Sequence, residues 1–212
     1  MYASRYELPP RALAGLFCDV TTQLDDAWPL WSLRLISEFD AADERATALA
    51  KTLTPRQLNW SPSPGVWSVG QCLEHLRVTN EVYLKPMSDS LAGRQGAVVQ
   101  EITPGWFGRW FIRSFIEPSS RVARGRAPKK IRPAAQVDSS ILDRFLRSNE
   151  EARDLVRRAR NHDVNRIRFR NPFIPVIRFT VGTGFEILSQ HQRRHLLQAE
   201  RIRASANFPE PG

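Results

Sequence analysis

Apolar residues recur at helical spacing through four long stretches, and this constrains the chain more than any other feature. Trp31, Leu33, Leu35, Ile36, Phe39, Ala42, Ala46 and Leu49 mark the first stretch, a helix expected over about 30–53. Thr54-Pro55 closes it, because the residue before a proline is pushed out of the α region. The second opens at Ser68, which forms a capping box with Gln71, while Trp67 and Cys72 occupy the hydrophobic-staple positions. It runs through Leu73, Leu76, Val82 and Tyr83, and either stops at Pro86 or tolerates it near its end. The third, about 139–160, carries Leu142, Phe145, Leu146, Ala152, Leu155 and Val156. The fourth opens near Gly182 to Gly184 and runs to about Arg203. Residues 164–180, with Asn171-Pro172-Phe173-Ile174-Pro175, read as extended or irregular. Four long amphipathic helices with few strand candidates imply an all-α four-helix bundle.

A chain of 212 residues is long enough for one substantial core, and 42% hydrophobic with 25% charged residues is an ordinary globular balance. Apolar runs fall far short of the roughly 18 residues that a membrane span needs. The N-terminus has no apolar leader, and two cysteines, Cys18 and Cys72, make no disulfide scaffold. A cytoplasmic protein is the expectation. Net charge is +9, which raises nucleic acid as a partner. The one concentrated basic run is Arg121, Arg124, Arg126, Lys129, Lys130 and Arg132, broken by Gly125 and Pro128. It lacks the interleaved aromatics that stack on bases, so a solvated connector is the favoured reading and nucleic acid the disfavoured one.

The chain divides into an N-terminal extension (1–28) with one short helix near Leu13 to Leu24, a bundle (29–205) and a polar tail (206–212). Between the second and third long helices lies an insert, 98–136. Its aromatic segment, Trp106, Phe107, Trp110, Phe111 and Phe115, reads as a short extra helix. Apolar residues surround it, with Arg109 and Arg113 interspersed. That pattern favours burial against the bundle over a substrate pocket, a dimer interface or a membrane contact.

His191 and His195 stand four residues apart on the fourth helix, so their Cβ atoms lie roughly 5–6 Å apart on one face. That face also carries Ile187, Leu188 and Ile202, while Arg193 points nearly opposite. His75 lies seven residues into the second helix, at the edge of its apolar stripe. A single inward histidine is most often a satisfied core residue. Three that could meet at one helix–helix interface instead suggest a divalent metal with an open coordination position, the arrangement of a catalytic site. Zinc, nickel, iron and manganese all accept imidazole ligands. Gln198 shares the inward face and is the favoured support for His195. Glu74 and Glu186 are candidate acid–base or supporting groups, with Glu74 expected to face elsewhere. Cys72 is expected to be a buried apolar residue rather than a fourth ligand, and His162 to be solvent-exposed.

Two pieces of the chain resemble signatures of the DinB-like (YfiT-like) bundles. The first is Trp60-Ser61-Pro62-Ser63-Pro64-Gly65-Val66-Trp67-Ser68, leading to His75-Leu76. The second is Asn171-Pro172-Phe173 followed by His191, His195-Leu196 and Gln198. The resemblance covers roughly 30–204. It implies an up-down-down-up bundle, commonly dimeric, with one divalent metal, often zinc or nickel, on His75, His191 and His195. It further implies a hydrolase or a thiol S-transferase that uses a low-molecular-weight thiol and acts on a small molecule. A non-catalytic bundle that binds a small ligand or nucleic acid is the alternative. The insert and the N-terminal extension depart from the family pattern.

Overall fold

The structure is a computed structural model that describes residues 28–94, 96–116 and 127–210. The short helix expected near Leu13 to Leu24, and the basic residues Arg121, Arg124 and Arg126, lie outside the described residues.

Four long helices form an all-α bundle: α1 (Leu30–Ala50), α3 (Val69–Leu91), α5 (Ile141–Ala159) and α6 (Val181–Arg203). α1 and α3 each pack against both α5 and α6, so they face one another across the bundle. Among the described residues no helix is long and apolar enough to cross a membrane. α1 stops at Ala50, and Thr54 then caps a separate one-turn helix, α2 (Pro55–Leu58), through a capping box with Gln57. Thr54-Pro55 therefore starts a helix as well as ending one, because proline at the first helical position gives up an N–H that has no partner there anyway. Ser68 caps α3 by the expected box with Gln71, and α3 continues past Pro86 to Leu91.

The insert corrects one expectation. Trp106–Phe111 forms α4 and Ile112–Ile116 a single turn of π-helix. Phe107 and Phe111 pack on Phe179, with centroids 5.9 and 5.1 Å away, but Trp106 is 76% exposed and Trp110 and Phe115 are about half exposed. The segment is thus one-faced. Arg109 and Arg113 share the outer side with the two tryptophans. Residues 164–180 hold a small antiparallel pair, β1 (Arg168–Arg170) and β2 (Arg178–Thr180). Each strand buries its central phenylalanine and exposes the arginines, a two-residue alternation too short to recognise as strand. Thr180 then caps α6. Gly184 allows the first turn of α6 to press on α3 and β1, since a Cβ there would lie 2.7 Å from Met87 Sδ and 2.9 Å from Phe169 Cε1.

The apolar core is split in two. One part gathers Trp31, Leu35, Phe39, Tyr83, Leu155 and Phe185, and the other Leu58, Cys72, Leu73, Phe145 and Leu196. Between them runs a layer of buried amides. Asn80 of α3 donates to Asn149 Oδ1 (2.8 Å) and Ser148 Oγ (3.0 Å) of α5. Gln192 of α6 donates to the same Asn149 Oδ1 (2.7 Å) and to Asn80 Oδ1 (3.3 Å). Asn149 in turn donates to Gln192 Oε1 and to Asp43 of α1, at 3.1 and 2.6 Å. Arg153 reaches Asp43 (2.7 Å) from α5. Burial pushes the Asp43 carboxyl up, against the pull of Arg153 and Asn149.

Every long helix contributes to this layer, so its loss should be felt globally. Asn149→Leu strips partners from Asn80, Gln192 and Asp43 at once. Each buried polar group left unpaired costs about 1–3 kcal/mol. The variant should lose at least about 2 kcal/mol in urea denaturation, and an unchanged midpoint would contradict the role given to the layer.

Candidate metal centre

The local sequence sets each histidine in place. The Ser68 cap fixes where α3 begins, and His75 follows about two turns later on the side facing α6. Thr79 Oγ1 donates to the His75 carbonyl (2.7 Å) beneath it. On α6, the amide of Gln192 is held in the polar layer, which fixes the rotation of its neighbours His191 and His195.

The three imidazoles meet. Ring centroids are 4.9 Å apart for His75 and His191, 4.6 Å for His75 and His195, and 4.6 Å for His191 and His195. One nitrogen from each ring lies within 4.8 Å of the others, a group able to hold a metal ion. His75 and His195 are buried, at 2% and 8% exposure. His191 reaches the surface in part, although its Nδ1 is shielded. Trp67 covers the cluster, 4.6 Å from the His75 ring and 5.5 Å from that of His195.

Oxygen acceptors orient two of the rings. His75 Nδ1–H donates to the Ile131 carbonyl (2.6 Å), and His195 Nδ1–H to Gln198 Oε1 (2.9 Å). Both rings then carry the lone pair on Nε2, the arrangement by which a second partner prepares a histidine to ligate. His191 Nε2 sits 2.7 Å from His75 Nε2, and His191 Nδ1 has no partner among the described residues. Either tautomer of His191 leaves a defect. With hydrogen on Nε2 it donates to His75 but strands a shielded lone pair on Nδ1. With hydrogen on Nδ1 the donor is stranded, and two lone pairs oppose each other across the cluster. A cation between the rings removes that opposition. A tetrahedral ion with nitrogens at about 2.0–2.1 Å holds them ~3.3 Å apart, so the two rings would part by about half an ångström to admit one.

The cluster is built to be neutral. Burial lowers the pKa of His75 to about 4 and of His195 to about 3, and that of His191 well below its ordinary value. The Arg194 charge depresses all three further, and the Ile131 carbonyl and Gln198 pull His75 and His195 partway back. Neutral imidazole is the ligating form.

The other candidates lie elsewhere. Glu74 pairs with Arg77 (2.9 Å) and Arg144 (3.7 Å), facing away as expected. Glu186 pairs with Arg34 of α1 and takes no part in the cluster; burial raises its pKa. Cys72 is fully buried in apolar surroundings that push its thiol up, and it is not among the grouped residues. Gln71 spends its side chain on the cap and on the Ala134 carbonyl (2.9 Å). His162 is half-buried with a shielded Nδ1 rather than exposed, because the turn after α5 folds back on the bundle. At the described end of the basic run Lys129, Lys130 and Arg132 are exposed, as in a solvated connector, but the run also forms a 3-10 turn at Lys129–Ile131 whose Ile131 is buried and whose Ile131 carbonyl accepts from His75. No residue type signals a backbone acceptor, so this contact is illegible in sequence. Trp67 and Arg194 had a signal in their spacing from the histidines.

Fold and site together define a helical bundle with a buried three-histidine group between two of its helices. The chain belongs to the DinB superfamily, whose family model matches residues 38–199. Comparison with curated proteins and with solved structures returns no match.

The depressed histidines tie stability to pH. An unfolded histidine titrates near 6.5, so below that pH the unfolded chain takes protons that the fold refuses. Stability contributed by His75 and His195 is present above about pH 6.5 and is lost as pH falls toward 4 and 3. The raised carboxyls of Asp43 and Glu186 act in the opposite sense. The comparison that isolates the histidines is therefore metal-free wild type against His195→Gln. Wild type should lose stability more steeply between pH 6.5 and 4, by about 1.4 kcal/mol per pH unit. Parallel pH profiles in urea denaturation would contradict this.

Proposed function

We propose that His75, His191 and His195 ligate one divalent cation, zinc or nickel in preference to iron or manganese. On this reading the protein is a metal-dependent enzyme acting on a small molecule, as a hydrolase or as a thiol S-transferase with a low-molecular-weight thiol as co-substrate. It works in the cytoplasm as a homodimer. The observation that carries the reading is the convergence of three neutral imidazoles, two of them oriented through Nδ1 so that Nε2 is left to ligate. Membership of the DinB superfamily is compatible with it.

Three protein ligands leave a coordination position open, the pattern of a catalytic rather than a structural site. A divalent ion there supplies Lewis acidity, which polarises an electrophile and favours a deprotonated nucleophile at neutral pH. The residues do the rest. Trp67 limits water on one side of the cluster, while Ile131 and Gln198 hold two rings in the ligating tautomer.

Metal content tests the reading. After chelator-free purification and reloading with zinc or nickel, wild type should carry about one equivalent and His191→Ala almost none. Equal and negligible metal in both would reject it. Gln198→Leu should keep the site but weaken metal affinity about 10–100-fold, the usual effect of removing a ligand's hydrogen-bond partner.

A further inference from the structure

Arg194 stands one residue before His195 and three after His191, which makes it a neighbour of His191 on the surface of α6. It is half-buried. Its only hydrogen bond among the described residues runs from Nη1 to the Phe115 carbonyl (2.8 Å), and it forms no ion pair there. Two other covered arginines differ: half-buried Arg77 is paired with Glu74, and buried Arg153 with Asp43. A guanidinium has five N–H donors, so most of those on Arg194 meet no acceptor among the described residues.

The surroundings sharpen this. Among the described residues the group is made of the three histidines alone, and no carboxylate joins it. Three neutral imidazoles leave the whole charge of a divalent ion uncompensated, and Arg194 adds one more positive charge beside it. Excess positive charge in a poorly solvated site is unfavourable until an anion enters. We propose that the space beside the three histidines receives an oxyanion group of the substrate, a carboxylate or phosphate, and that Arg194 is the residue that binds it. A guanidinium suits such groups because its paired N–H donors match two oxygens at once. The inference rests on the metal-centre reading and adds the substrate class.

The test is nitrogen-15 NMR titration with acetate and with inorganic phosphate, on metal-free and zinc-loaded protein. The Arg194 Nε–H signal should shift saturably in wild type, and zinc should strengthen binding. Followed through the backbone signals of α6, Arg194→Gln should weaken binding about tenfold or more, with Arg194→Lys in between. The contact to the Phe115 carbonyl that glutamine is too short to keep is solvent-exposed, so water replaces it and the fold is spared. Arg109→Gln removes the same charge from the outer face of α4 and should bind as wild type does. Equal affinity of wild type and Arg194→Gln in both forms would overturn the inference, as would equal losses in Arg194→Gln and Arg109→Gln. Failure of zinc to bind would instead reject the metal centre, and the metal-free titrations would still decide whether Arg194 holds an anion.

Discussion

The amide layer of Asn80, Asn149 and Gln192 is the constraint on which the arrangement depends. Apolar side chains bind the helices together but are indifferent to small rotations, since Leu73 or Phe185 fills space from several angles. Primary amides are not indifferent, because each buried donor needs an acceptor in the right direction. Asn149 accepts from both Asn80 and Gln192, which locks α3 and α6 to one rotation about α5. Asp43 and Arg153 extend the lock to α1. His75 is five residues before Asn80, and His191 adjoins Gln192. A helix turned by one residue's worth, about 100°, would carry the imidazoles out of register.

The insert completes the cluster. It leaves α3, runs past α1, where Trp31 Nε1 donates to the Val99 carbonyl (2.9 Å), and lays α4 against β2. It is then fixed on both sides of the histidines. Arg194 holds the Phe115 carbonyl on one side, and on the other the Ile131 carbonyl orients His75. The segment between α3 and α5 thereby supplies a polar contact to the cluster itself. It also presents an outer face of Trp106, Arg109, Trp110 and Arg113 that the bundle does not cover.

Much of this was legible in the chain, for identifiable reasons. The four long helices followed from periodicity, and the starts of α3 and α6 lay where capping chemistry or glycine marks them. The inward aim of His191 and His195 followed from their spacing among Ile187, Leu188 and Ile202, and the link from His195 to Gln198 from a three-residue step. The polar layer was invisible, because an asparagine inside an amphipathic helix looks the same whether it faces water or another amide. The exposure of Trp106 and Trp110 was also hidden, since composition does not say which side of an aromatic helix is covered. The strand pair was too short to carry a period. The Ile131 carbonyl had no signature, because every residue carries one.

Three neutral imidazoles, held by the amide layer and by the Ile131 and Gln198 oxygens, are proposed to form one metal site. The most direct measurement is a crystal of the zinc-loaded protein with anomalous data collected across the zinc edge. A single strong peak is expected about 2.0–2.1 Å from one nitrogen each of His75, His191 and His195. A peak bound elsewhere would contradict it. So would an unchanged close contact between His75 and His191 with no peak among the rings.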